Sequence, residues 1–124
     1  MSLALISTLL FLAPAAPLVI SEREPAVGQA DAAYEELTAH QTEQAIVRLE
    51  AALERSPGDP SLLINLGTAY FRANRLDEAR EAFRQAQASD ERYRVELADG
   101  SWEDSRKVAR MALDSLDRSV LAAK

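Results

Sequence analysis

From residue 59 onward the apolar positions recur at three- and four-residue steps: Leu63, Leu66, Gly67 and Tyr70 first, then Ala79, Phe83 and Ala86 beyond Asn74. That period predicts two helices. Asp59 before Pro60 is a good helix start, since the carboxylate accepts from free backbone amides and Pro fits the first helical position. Asn74 suits the tight turn between the helices, where a left-handed backbone is cheapest for Gly or Asn. The stretch Asp59 to Asp90 therefore reads as an antiparallel helical pair, with Asp77, Glu78 and Glu81 toward the start of its second helix and Arg80 and Arg84 at spacings that pair with them.

The helical period also appears earlier. Ala33, Tyr34 and Leu37 form one short segment; after a break near His40 and Gln41, Ala45, Ile46, Leu49, Ala52 and Leu53 form another, with Thr42 as its N-terminal cap and Pro57-Gly58 as its end. Downstream the period drops to two. Tyr93, Val95 and Leu97 alternate with Arg92, Arg94 and Glu96, and the run ends in the tight-turn pair Asp99-Gly100. Ser101 to Glu103 either returns as a very short partner strand or leaves an irregular extended segment. A last helix is predicted from Trp102 or Asp104 to Leu121, with Ser101 and Asp104 as a capping box and Ala109, Ala112, Leu113, Leu116 and Val120 on its apolar face.

The set Leu66-Gly67, Tyr70, Ala79, Phe83 and Ala86 resembles a tetratricopeptide repeat, a helix-turn-helix unit of about 34 residues. The resemblance implies that Gly67 and Ala79 lie where the two helices of the unit approach, because a side chain larger than a methyl group would hold the backbones apart. Glu91 stands where the closing Pro of that motif falls. Shifting the unit back by its own length lays Ala45 under Ala79, Leu49 under Phe83 and Ala52 under Ala86, with Pro57 in the closing position. Ala32 and Ala33 replace the Leu-Gly pair there and Glu36 replaces the Tyr, which makes this a degenerate first unit. The resemblance covers about residues 26 to 91. It implies an all-α fold: two tetratricopeptide-like helical hairpins, a fragment of an α-solenoid, closed by a C-terminal helix that covers the flank of the second unit. The expected division is 22–29 as linker, 30–58 and 59–91 as the two units, 92–103 as an extended segment or short β-hairpin, and 104–124 as the capping helix.

Residues 3 to 20 carry no charge and are far more apolar than anything after them. The run reads as an export signal over residues 1–21, with Ala13-Pro14-Ala15 supplying small residues at the spacing signal peptidase uses. Cleavage after Ser21 or after Ala30 are the other options. A retained inner-membrane anchor and an extension that stays cytosolic are the competing readings; cleavage of the signal leads to a periplasmic protein, retention of the run to a tethered one. Ser21 to Gln29, with Pro, Gly and mixed charge, reads as a linker.

Composition narrows the chemistry. A net charge of -6 and a pI near 4.8 argue against broad contact with nucleic acid, which needs a clustered positive surface. The chain has no Cys, so no disulfide, thiolate metal site or Cys nucleophile exists. His40 is its only His and falls at a predicted turn, where a solvated side chain is the simpler reading than a general base. No Gly-rich phosphate loop, GxSxG setting or calcium-loop spacing occurs. No cofactor and no catalysis are expected.

What the resemblance implies is a protein-binding module. The first helices of successive units line a concave face, which here comprises Tyr34, Leu37, Ile64, Asn65, Thr68, Phe71 and Arg72. Phe71 beside Arg72 suits an extended or helical partner segment, combining apolar burial with a carboxylate contact. The competing reading is that Phe71 and Ile64 pack against the terminal helix or the first unit. Asn65 matches a position with which some family members grip a C-terminal carboxylate, but Ala30 stands where their Lys is found, so that activity is not implied. A self-associating assembly protein and a membrane-tethered accessory subunit are the alternative functions, and the oligomeric state stays open. Trp102, the single Trp, reads as a core anchor or a surface hot spot.

Overall fold

The computed structural model describes residues 38–97 and 99–123 in full and the backbone of residues 20–21. Tyr34, Leu37, nearly all of the apolar run and the first helix of the first unit lie outside the described residues. Within them the architecture is mostly helical. α1 spans Thr42–Arg55, α2 Pro60–Arg72, α3 Leu76–Ala88 and α4 Ser105–Ala122; β1 is Ile20–Ser21, β2 Arg94–Glu96 and β3 Trp102–Asp104.

α2 is the axis of the packing. Eleven consecutive residues, Pro60 to Tyr70, are buried, and α1, α3 and α4 all pack against this helix. A helix buried all round must be apolar or small all round, and the sequence PSLLINLGTAY meets that demand. Its start is the one the sequence predicts: the Asp59 carboxylate accepts from the backbone N–H groups of Ser61 and Leu62, with Pro60 in the first helical position. Its end is a left-handed Asn74 with φ of 60°, across which Arg75 N–H donates to Tyr70 C=O at 2.8 Å. This six-residue closure normally wants Gly, and Asn is the cheapest substitute.

α3 lies antiparallel to α2, and the contact at Gly67 is made by Phe83 rather than by Ala79. A Cβ built at Gly67 would lie 2.5 Å from Phe83 Cε1 and 2.6 Å from Cδ1, so the missing side chain is the notch that the ring enters. Ala79 is fully buried, but it does not supply the atoms nearest Gly67. In α1, Ala45, Leu49 and Ala52 are as buried as their counterparts Ala79, Phe83 and Ala86 one repeat length on, so both second helices turn the same face inward.

Two expected caps move. Thr42 is the first residue of α1 and Gln41 precedes it with no side-chain cap bond, so Thr42 does not cap. Asp104, not Ser101, caps α4, accepting from Arg106 N–H; Ser101 instead donates its N–H and its hydroxyl to Asp99 within the turn. A carboxylate directly before the helix reaches its first free amides, whereas Ser101 lies three residues too early and is taken up by the Asp99-Gly100 turn.

Of the two readings open for residues 92–103, the short hairpin is the one that forms: β2 and β3 pair antiparallel with Val95 opposite Glu103. Val95 is fully buried and ties this ribbon to the helical core, which a two-stranded ribbon requires. β1 adds a third strand on the outer edge of β2, with Ile20 opposite Glu96 and Ser21 opposite Val95. No strand is expected there from the sequence pattern.

Candidate protein-binding face

Of the seven residues assigned to the concave face, five fall on α2, and their spacing puts them on one side of it: Ile64 and Asn65, then Thr68, then Phe71 and Arg72. They divide sharply. Ile64, Asn65 and Thr68 have 0% exposure, and so has Ser61, one turn before Asn65. Sequence reasoning passed over Ser61, though its four- and seven-residue offsets from Asn65 and Thr68 place it in the same row. Thr68 Oγ1 donates back to Ile64 C=O, so its hydroxyl is satisfied within the helix. These side chains present no surface to a ligand, because α2 is the central helix of the stack.

The row opens only at its C-terminal end. Phe71 is half-buried, packed by one side against the core, and Arg72 is half-buried beside it. The surrounding geometry is stiff. The Tyr70 hydroxyl donates to the Glu50 carboxylate, linking α2 to α1 across twenty residues of sequence. Burial, together with that carboxylate, pushes the Tyr70 phenol well above its usual range, so it stays protonated and keeps donating. The Arg75 guanidinium lies 4.7 Å from the centre of the Tyr70 ring and donates twice to Glu78. The result is a half-exposed aromatic ring and a guanidinium on a helix end held by α1, by the left-handed turn and by α3. Such an end can bury an apolar side chain and meet a carboxylate without first ordering itself.

Other sequence candidates lie apart from this end. His40 is exposed in a left-handed turn, with φ of 61°. Trp102 is half-buried on β3, opposite Glu96. Among the described residues no group of three or more His, Asp or Glu is placed to hold a metal, and no helix is long and apolar enough to cross a membrane.

A tetratricopeptide repeat family model matches residues 36–99, more than half of the chain. The match takes in α1, α2, α3 and β2. No curated protein and no solved structure matches the chain. Repeats of this family commonly bind protein partners and are typically non-enzymatic.

Proposed function

The chain belongs to the tetratricopeptide repeat family, and on that footing we propose that it is a non-catalytic adaptor binding an extended or helical segment of a partner protein. The contact centres on Phe71 and Arg72, with Ile64, Asn65 and Thr68 as the buried floor that fixes α2 in place; Tyr34 and Leu37, assigned to the same face by the resemblance, lie outside the described residues. The observation that carries this reading is the half-exposed Phe71–Arg72 pair ending a helix otherwise buried from Pro60 to Tyr70. The partner segment has an apolar anchor residue for Phe71 and an acidic group for Arg72.

The apolar run at residues 3–20 supports export to the cell envelope, with a periplasmic mature form, or an inner-membrane tether if the run is kept. Mass spectrometry of the protein from its host separates the two. A mature chain starting after Ala15, Ser21 or Ala30 supports export by cleavage; a membrane-bound chain starting at Met1 or Ser2 supports the tether.

Affinity capture with paired baits tests the binding face. Arg72→Glu reverses the charge of a half-exposed residue, and Phe71→Ala removes the anchor ring. The expected result is that polypeptides retained by the native chain are lost with both variants, while each variant keeps its helical circular dichroism. Identical capture by all three baits would refute the assignment.

A further inference from the structure

The outer edge of β2 carries a second kind of docking surface, one that works through the backbone. On its inner side β2 pairs with β3, where Ser105 N–H donates to Tyr93 C=O at 2.9 Å and Leu97 N–H donates to Ser101 C=O at 2.8 Å. With Val95 opposite Glu103 in the same register, Tyr93, Val95 and Leu97 direct their peptide groups toward β3. Antiparallel ladders alternate, so Arg94 and Glu96 direct theirs to the opposite edge. That edge is rigid: Val95 is fully buried, and the Ser105 hydroxyl accepts from Tyr93 N–H. The edge is also where β1 pairs, with Ile20 opposite Glu96 and Ser21 opposite Val95.

We propose that the outer edge of β2 is a strand-docking site that takes an extended antiparallel segment of a second polypeptide, and that Ile20–Ser21 holds it in cis. The structure already seats a polypeptide segment there, which fixes the binding mode and direction. The chemistry of the incoming segment follows from the register. Opposite Glu96 it carries a β-branched residue, as β1 does, and two positions later, opposite the exposed Arg94, an acidic one, because directly opposed charges stabilise a strand pair. Among the described residues the cis strand is Ile20–Ser21. Its sequence lies at the C-terminal end of the apolar run, so cleavage after Ser21 or Ala30 would also vacate the edge.

The test uses the full chain and a fluorescein-labelled peptide with the sequence of residues 17–24, PLVISERE, which carries Glu two positions after its Ile. A cis segment acts at an effective concentration on the order of millimolar, so the native chain should bind this peptide weakly. Ile20→Pro removes the N–H that β1 offers to the Glu96 pair. Fluorescence anisotropy should show it binding the peptide at least about tenfold more tightly than the native chain. Adding Glu96→Pro should abolish that gain, because it deletes an outward-facing donor while Tyr93, Val95 and Leu97 keep their pairing with β3. If Glu96→Pro lowers the melting temperature, a peptide N-methylated at its Ile carries the same test from the ligand side and should fail to bind Ile20→Pro. Exchanging the peptide's first Glu for Lys should weaken binding. Equal binding by the native and Ile20→Pro chains, no saturable binding to Ile20→Pro, or full binding of the N-methylated peptide would overturn the proposal.

Discussion

Gly67→Ala is the substitution whose sign decides whether the notch under Phe83 is real. In an exposed helix interior this change stabilises by about 1 kcal/mol, because Ala loses less backbone freedom than Gly on folding. Here the new methyl carbon would meet Phe83 Cε1 at 2.5 Å, Cδ1 at 2.6 Å and Cζ at 2.9 Å, against the 3.5–4.0 Å at which carbon atoms rest. The ring must retreat by about 1 Å, and Phe83 is 1% exposed, with core on its far side. Overpacking of this kind costs about 1–3 kcal/mol. Set against the propensity gain, the net loss is about 0–2 kcal/mol, or a fall in melting temperature of up to several degrees for a domain this small. Gly67→Leu, which drives a whole side chain into the ring, should cost more and leave the domain badly destabilised. Urea unfolding followed by circular dichroism gives the free energies, and the double variant with Phe83→Leu localises the effect. Relieving the clash should make the pair less damaging than the sum of the singles by about 1 kcal/mol. A Gly67→Ala chain more stable than the native one, or strict additivity with Phe83→Leu, would refute the close approach.

Three further outcomes follow from the same geometry. Asp59 is buried, and loss of water around its carboxylate raises its pKa above 3.8 even with two backbone donors. Between that value and its raised folded value the folded chain binds the proton more tightly than the unfolded chain, so stability is fully present below about pH 4 and is lost as pH rises through the folded pKa. Asp59→Asn keeps an acceptor for the cap and should flatten this part of the pH profile in urea titrations, whereas Asp59→Ala should lose about 1 kcal/mol at neutral pH. Tyr70→Phe removes the hydroxyl bonded to Glu50 and should cost about 0.5–1.5 kcal/mol, with Glu50→Gln largely sparing the bond. Arg80→Ala breaks the 2.9 Å contact that joins α3 to Asp117 of α4; being exposed, it should shift thermal unfolding by no more than about 1 kcal/mol.

The second helical pair was readable from the sequence because each of its signals is local. Asp59-Pro60, the left-handed Asn74 and the spacing of Leu66, Gly67, Tyr70, Ala79 and Phe83 each reflect a demand met within a turn or two of helix, and the turn at Asp99-Gly100 is legible for the same reason. What escaped depends on contacts distant in sequence. That Phe83 fills the notch at Gly67, where the pattern suggested Ala79, depends on how an aromatic ring settles between two helices. The burial of Ile64, Asn65 and Thr68 depends on how many elements crowd around α2. The resemblance placed them on the concave face, yet Thr68 bonds within its own helix and all three side chains are buried. β1 was invisible to pattern reading: a two-residue strand at the end of an uncharged run carries no period of its own, and its partner lies more than seventy residues away.

The claim on which the functional account stands is that the Phe71 end of α2 meets another polypeptide. Site-specific photocrosslinking measures this directly, with p-benzoylphenylalanine in place of Phe71 in the full chain expressed in its host, and the same probe at the exposed Glu81 of α3 as control. The account predicts a discrete covalent adduct to a second polypeptide from position 71 and none from position 81. Irradiation that yields only internal crosslinks from position 71, or the same adduct from both positions, would contradict it.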